Sequence, residues 1–311
     1  MKKEYHILSL SGGKDSTALA FFMKENMPEI FEKLELVFCD TEHEIPETYA
    51  YLNKIELFLN KQITRLKPKR SFKDILATTN FLPSHKHRWC TGLLKTNSLE
   101  SYVKNLKSKY GYSKIKLYIG IRSDEIFRTK VAGNNPLLTE VFPFVENNIY
   151  KSDVENILKK TGIGMSDYYK WRKRSGCYFC FYQSCMDWLN LYENHPNLYE
   201  KAMEYEYNDC TEIKSGRMGF NMEYSLKDMI KPENIKKIKE KYLKMHKSEK
   251  KIIPDTLLII LALQQSKQSS SEQSTLPSWS LSIPSKHEYL ESLPSAFGVS
   301  IKNLSGMIFH K

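Results

Sequence analysis

Short apolar runs alternate with longer stretches of helical spacing along the first two thirds of the chain. Tyr5-His6-Ile7-Leu8-Ser9-Leu10 is apolar and partly alternating, the length of one buried strand. Behind it Ala18, Leu19, Phe22 and Met23 recur at i, i+1, i+4 and i+5, one stripe of a helix. Leu34-Glu35-Leu36-Val37-Phe38-Cys39 predicts a second strand, and Pro46 opens a helix with Tyr49, Leu52, Ile55 and Leu59 inward. Residues 62–66 predict a third strand, and Ser71 with Asp74 makes an approximate capping box for the next helix. Lys116-Leu117-Tyr118-Ile119-Gly120 reads as a further parallel strand, with a helix over 152–160 later. Past residue 185 the pattern is helical. Trp188, Leu189, Leu191 and Tyr192 lead to a helix begun by Pro196, and their aromatics read as core rather than base-stacking platforms. A lysine-rich helix runs from 232 to about 251, a solvated face by default and a polyanion contact as the sharper alternative. Strands alternating with helices predict an α/β fold, a parallel sheet with helices on both faces, followed by a mainly helical region.

The junction between the first strand and helix carries the densest chemistry. Ser11-Gly12-Gly13-Lys14-Asp15-Ser16-Thr17 sets two glycines, a cation, a carboxylate and three hydroxyls in seven residues. Glycines let a ligand approach the main chain, and the first helical turn offers unpaired N–H groups with the positive end of the helix dipole. An oxyanion is the natural occupant. The G-x-x-x-x-G-K-[ST] loop is excluded, because Leu8 stands where its first glycine belongs and Asp15 follows Lys14.

Composition adds charge to this picture. Hydrophobic content of 41% and charged content of 27% are ordinary for a folded protein. A net charge of +11 favours a polyanionic partner, because one small oxyanion does not require so broad an excess; solubility is the plainer reading. No secretory apolar segment precedes Ser11, and the longest apolar run, residues 257–263, is far short of a bilayer. A cytoplasmic location without a membrane partner is therefore expected. Cysteines in such a chain are expected as thiols rather than disulfides. Three of the six cluster as Cys177-x2-Cys180-x4-Cys185, with Cys90 as a fourth candidate ligand. A closed zinc site, an iron–sulfur cluster and unligated core thiols all fit this spacing.

Ser11-Gly12-Gly13-Lys14-Asp15-Ser16 resembles the pyrophosphate loop of the ATP pyrophosphatases, which cleave ATP between its α and β phosphates. Within that superfamily the chain is most similar to the phosphoadenosine phosphosulfate reductase family. Asp40-Thr41 followed by Ile45-Pro46-Glu47-Thr48 is similar to the family's segment beside the adenosine. Arg88, Cys90, Thr91 and Lys95 match its Arg-x-Cys-Thr-x-x-x-Lys segment. Gly120-Ile121-Arg122 with Glu125 and Arg128 matches its Gly-Ile-Arg-x-x-Glu-x-x-Arg pattern. The resemblance spans about residues 5–200 in sequence order.

What the resemblance implies is specific. The fold is expected to be adenine nucleotide alpha hydrolase-like, Rossmann-like, with five parallel strands. Lys14, Asp15 and Arg122 become the expected catalytic residues. Ser11, Gly12, Gly13, Lys14, Asp15, Ser16, Thr17, Asp40, Thr41, Gly120, Arg122, Glu125 and Arg128 become the expected ATP contacts. Asp15 with Asp40 would hold Mg²⁺, a hard ion suited by carboxylates. The resemblance favours a [4Fe–4S] cluster on Cys90, Cys177, Cys180 and Cys185, with Zn²⁺ as the alternative. The chain lacks the reductases' adjacent cysteine pair and their Glu-Cys-Gly-Leu/Ile-His tail. By further resemblance to DNA phosphorothioation and tRNA thiolation enzymes, the expected activity is ATP-dependent adenylylation of an acceptor, then sulfur transfer. The expected acceptor is nucleic acid and the expected sulfur donor a cysteine desulfurase. A sulfonucleotide reductase is one alternative, and a nucleotide-binding regulator with structural zinc another. Expected boundaries are a nucleotide-binding domain at 1–175, a cysteine-bearing helical region at 176–263, a Ser/Gln-rich linker at 264–275 and a tail at 276–311.

Overall fold

The computed structural model describes residues 4–112, 114–131, 138–209, 219–221 and 223–247. In chain order the elements are β1 (Glu4–Leu10), α1 (Lys14–Asn26), α2 (Pro28–Lys33), β2 (Leu34–Cys39), α3 (Pro46–Leu59), β3 (Ile63–Leu66) and α4 (Phe72–Thr79). Next come α5 (Trp89–Thr91), a π-helical turn (Gly92–Thr96) and α6 (Asn97–Tyr110), then β4 (Lys114–Tyr118), β5 (Thr139–Val141), α7 (Pro143–Glu146) and α8 (Lys151–Lys160). The chain continues with α9 (Cys185–Asn194), α10 (Pro196–Asp209), α11 (Leu226–Met229) and α12 (Pro232–Lys247). Lys2-Lys3, Cys210, the apolar run at 257–263, the expected linker and the tail lie outside the described residues, as does the lysine-rich helix beyond 247.

A strand buried on both faces belongs in the middle of a sheet, and β1 is such a strand. Its Ile7 and Leu8 have no solvent exposure although they point to opposite faces. β1 pairs in parallel with β2 and with β4, giving the order β3-β2-β1-β4-β5, parallel at every pairing. Leu8, Leu10, Leu36 and Phe38 pack on one face with α1, α3 and α8. Ile7, Val37, Ile115 and Leu117 pack on the other with Val103 and Leu106 of α6. This is the five-stranded Rossmann-like sheet expected from the sequence, with the mainly helical region after it. The strand order reverses between β1 and β4, so a crevice opens at their carboxyl ends, where open α/β sheets bind ligands.

A second core joins segments distant in sequence. Ile45, Phe72, Ile75 and Leu94 pack with Tyr178, Phe179, Trp188, Tyr199 and Phe220. α9 starts where it does because the Ser184 hydroxyl accepts the Asp187 N–H while the Asp187 carboxylate accepts the Ser184 N–H, a full capping box. Trp188, one residue later, is fully buried between Tyr199 and Phe220. Its indole N–H finds no acceptor among the described residues. Trp188→Ala should lower unfolding stability by about 3–5 kcal/mol, through lost burial and a cavity. Trp188→Phe, which keeps an aromatic ring and removes the orphan donor, should cost much less. Urea unfolding midpoints read both, and equal losses would show that volume at this position does not set the core.

Candidate active site

The Ser11–Thr17 segment forms the tight turn between β1 and α1, and hydroxyls hold its shape. Ser16 Oγ accepts the Ser11 N–H at 3.1 Å and lies 3.1 Å from Ser11 Oγ, while Thr17 Oγ1 donates to the Gly13 carbonyl at 2.9 Å. The two glycines are sterically required. Gly12 adopts φ +68°, and a Cβ there would lie 2.7 Å from the Thr48 methyl. A Cβ on Gly13 would lie 2.6 Å from Ser175 Oγ. The Lys14 N–H donates to the Tyr169 hydroxyl at 3.0 Å, and the Tyr168 hydroxyl donates to the Gly12 carbonyl at 2.8 Å. The N–H groups of Asp15 and Ser16 have no acceptor among the described residues. Two amides at the start of a helix, side by side and unpaired, form an anion cradle.

The β4 edge closes against this turn. A Cβ on Gly120 would sit 2.9 Å from the Asp15 carbonyl carbon and oxygen, so glycine alone allows the two loops to touch. Two residues on, Arg122 is 8% exposed and donates from Nη1 to Asp15 Oδ1 at 2.7 Å. Its other edge donates to Asp124, with Nη2 to Oδ2 at 2.9 Å, and Nη2 lies 3.4 Å from Glu125. Arg128 pairs with Glu125 at 2.8 Å on the exposed side. Lys14 Nζ donates to both Asp15 oxygens at 2.8 and 2.9 Å. Asp15 thus holds one cation from each loop beside the free amides. The Asp124 hydrogen bonds, followed by Asp15, hold the guanidinium firmly protonated, and Arg122 in turn keeps Asp124 below the usual carboxylate range.

The β2 edge adds a buried polar segment. Asp40 accepts from the Tyr49 hydroxyl and from the Glu42 N–H, both at 2.8 Å. Thr41 Oγ1 reaches Glu44 at 3.3 Å and lies 3.6 Å from Cys177 Sγ. Lys95, on the π-helical turn, approaches the buried Glu44 carboxylate at 3.7 Å. Burial opposes the Lys95 charge, but Glu44 and the neighbouring thiols outweigh it and raise its pKa. A cavity of about 260 Å³ lies beside Ser11, lined by Leu10, Phe38, Leu99 and Leu117 and by Cys39 and Lys95. That is near the lower end of ligand-site sizes, roughly 300–1,000 Å³.

The expected metal ligands do not assemble. Among the described residues, no three His, Cys, Asp or Glu side chains are placed to hold a metal ion. The expected [4Fe–4S] cluster on Cys90, Cys177, Cys180 and Cys185 therefore has no ligand set there, and neither does the Zn²⁺ alternative. The five described cysteines are free. Cys185 opens α9, and its sulfur is engaged by the Asn221 amide at 3.4 Å. Cys177 lies against Thr41, and burial with Glu44 pushes its thiol up to about 12. Burial likewise raises Cys90, helped by nearby Cys180. Metal ligation uses thiolates, and these surroundings favour thiols. Of the two carboxylates expected to hold Mg²⁺, Asp15 accepts from Lys14 and Arg122, and Asp40 accepts from Tyr49 and the Glu42 amide.

Sequence reasoning missed Tyr168, Tyr169 and Ser175, which brace the glycine turn from the far end of the first 180 residues. They sit in a short 3-10 turn (Asp167–Lys170) and a loop, where no periodicity marks them. Lys95 was legible only as a position in a resembling segment.

A family description of the phosphoadenosine phosphosulfate reductase domain matches residues 5–170. An uncharacterised protein of Methanocaldococcus jannaschii is 25% identical over 204 residues, 65% of this chain and 48% of its own, so the chain spans about half that relative's length. Two solved structures align with parts of the chain. The phosphoadenylyl-sulfate reductase of Candida auris, in a phosphate complex, aligns with TM-score 0.41 and 16% identity over 57% of this chain and 82% of its own. The U34-tRNA thiolase NcsA of Methanococcus maripaludis, with its [4Fe–4S] cluster, aligns with TM-score 0.37 and 15% identity over 67% and 72%. Neither likeness is close enough to transfer a site. The domain match runs over more than half the sequence and contains the glycine turn, the β2 edge and the β4 edge: the chain belongs to the phosphoadenosine phosphosulfate reductase domain family.

Proposed function

We propose that this chain is an ATP-utilising adenylyl-transfer enzyme serving sulfur transfer to an acceptor, which we take to be nucleic acid. The observation that carries the reading is the Lys14–Asp15–Arg122 arrangement beside the unpaired amides of Asp15 and Ser16. The β and γ phosphates lie on the amides, and the nucleoside end enters the cavity beside Ser11. An acceptor oxygen attacks the α-phosphorus and pyrophosphate departs. As charge grows on the leaving group, Lys14 and Arg122 turn to it from Asp15 and neutralise it. A persulfide on a cysteine desulfurase partner then attacks the adenylylated atom and displaces AMP, and a second thiol cleaves the resulting S–S bond, leaving sulfur on the acceptor and a disulfide on the donor side. The cysteines act in this reading as thiols, outside any metal centre.

Incubating the full chain with ATP and Mg²⁺ should release pyrophosphate. Sulfite release from adenylyl sulfate or its 3′-phosphorylated form, without pyrophosphate from ATP, would replace this reading with the reductase one. Asp15→Ala should abolish pyrophosphate release at an unchanged unfolding midpoint, and Arg122→Ala should slow it about 10²–10³-fold. Turnover retained by Asp15→Ala would contradict the assignment. Gly120→Ala forces a methyl onto the Asp15 main chain and should weaken ATP binding about tenfold or more while lowering stability by about 1–3 kcal/mol. Calorimetric titration with ATP reads this, and an unchanged affinity would show that contact between the two loops is not needed.

A further inference from the structure

A cluster of cations and aromatic rings lies beyond the nucleotide crevice and takes no part in the steps above. The guanidinium carbons of Arg88 and Arg174 lie 5.4 and 5.0 Å from the centroid of one ring, Tyr182. His85 meets the same ring edge-on at 4.4 Å, and Phe181 backs it at 4.5 Å. His85, Lys86, His87, Arg88, Lys173 and Arg174 are exposed. Neither Arg88, Arg174 nor Lys86 has a carboxylate partner among the described residues, whereas the basic helix α12 is partly neutralised: Lys239 pairs with Glu193 and Lys241 with Glu223. Exposed lysines without an ion pair among the described residues remain on α12 at Lys236, Lys237 and Lys244, but the two loops alone set their open charge around an aromatic ring.

Both loops are held in place. Trp89 stacks on buried Phe72 at 5.2 Å and donates its indole N–H to the Phe81 carbonyl at 3.1 Å, anchoring the 81–89 loop. Buried Arg172 donates to the carbonyls of Gly176 and Cys177 at 2.8 and 2.7 Å, fixing the other. The second loop also reaches the glycine turn, since Ser175 packs on Gly13. Arg174 is one residue from that contact, and Tyr182 is two residues past Cys180. One strip of chain therefore runs from the phosphate cradle to the half-buried Tyr182 ring.

We propose that Arg88, Arg174, Tyr182 and Lys86 form a binding surface for single-stranded nucleic acid leading to the nucleotide crevice. Guanidinium planes and a tyrosine ring offer stacking for unpaired bases, and uncompensated cations take the phosphates. A duplex keeps its bases stacked on each other and cannot use the ring. The surface deepens the adenylyl-transfer reading, by placing its acceptor, but its binding needs no ATP.

Fluorescence anisotropy of the full chain with labelled oligouridine, oligothymidine and a DNA duplex, at about 50 to 200 mM salt, tests it. Single strands should bind more tightly than the duplex; preference for the RNA or the DNA strand identifies the acceptor type, and either supports the surface. The Arg88→Ala/Arg174→Ala double variant should weaken binding at least about tenfold and reduce the log–log salt slope by about 1.4, two phosphates at about 0.7 each. Tyr182→Ala should weaken binding about fivefold or more, with Tyr182→Phe retaining it. Lys241→Ala on α12 should bind as wild type, and all four variants should keep wild-type ATP affinity. Duplex binding as tight as single-strand binding, or an arginine double variant with wild-type affinity and slope, overturns the surface while leaving ATP cleavage untouched. Loss of ATP cleavage with intact strand binding would instead overturn the adenylyl-transfer reading alone.

Discussion

The contact between the β1–α1 turn and the β4 edge is what the rest of the site depends on. Gly120 lets the two loops meet at main-chain distance, and Arg122 locks them by its hydrogen bond to Asp15. Neither loop alone makes the site: the turn supplies free amides and one lysine, and the β4 edge supplies the second cation. Strand order brings them together, because β4 is placed next to β1 only by the reversal of sheet direction. The sheet therefore contributes to chemistry through topology, and its own side chains serve the two cores on its faces.

The second core extends that logic past the sheet. Residues 45, 72 and 94 pack against residues 178–238, so the segment bearing Cys177 and Cys180 is held by the same aromatic cluster that positions the β2 edge. His43 shows the coupling at one residue. It sits 4.9 Å from the Phe179 ring, 2.6 Å from the Thr41 carbonyl and 3.2 Å from the Tyr205 hydroxyl, while its own carbonyl accepts the Tyr178 N–H. Packing of this kind holds the Cys177 thiol against the β2 edge, buried beside Thr41 and Glu44. It also explains why ligand spacing in sequence did not become a ligand set in space: a C-x-x-C turn constrains two sulfurs, and the partners of the other two are decided by tertiary packing.

Much of the fold was legible because each strand is flanked by a local signal. The Ser71–Asp74 capping box, Pro46 at the first turn of α3 and Pro196 at the start of α10 are read from adjacent residues and formed as read. The glycine turn was legible for the same reason. Arg122 was legible only as part of a motif. Its bond to Asp15 spans 107 residues, and nothing local encodes that. Cys185 failed in the opposite direction. Its spacing implied a shared metal centre, whereas the capping of α9 and the Asn221 amide fix where its sulfur goes. Lys239 and Lys241 of α12 were visible as charge, but their carboxylate partners come from α9 and from residue 223, so net charge overstated the availability of these two.

Charge balance at the crevice bears on how a nucleotide could enter. Lys14, Arg122 and Arg128 carry three positive charges, and Asp15, Asp124 and Glu125 carry three negative ones, so the paired cluster is near neutral. A polyphosphate drawn only by net charge would find little attraction there. The unpaired amides change this, since their dipoles favour an anion without an acidic competitor. Once phosphate sits on them, its oxygens stand next to the cations that Asp15 holds, and the carboxylate becomes the weaker partner of the two. In the function proposed above, Asp15 is a placeholder: it keeps Lys14 and Arg122 converged before the nucleotide arrives and yields them as negative charge builds on the departing pyrophosphate. A site of this construction discriminates by timing, holding its cations in reserve for the step where they lower the barrier.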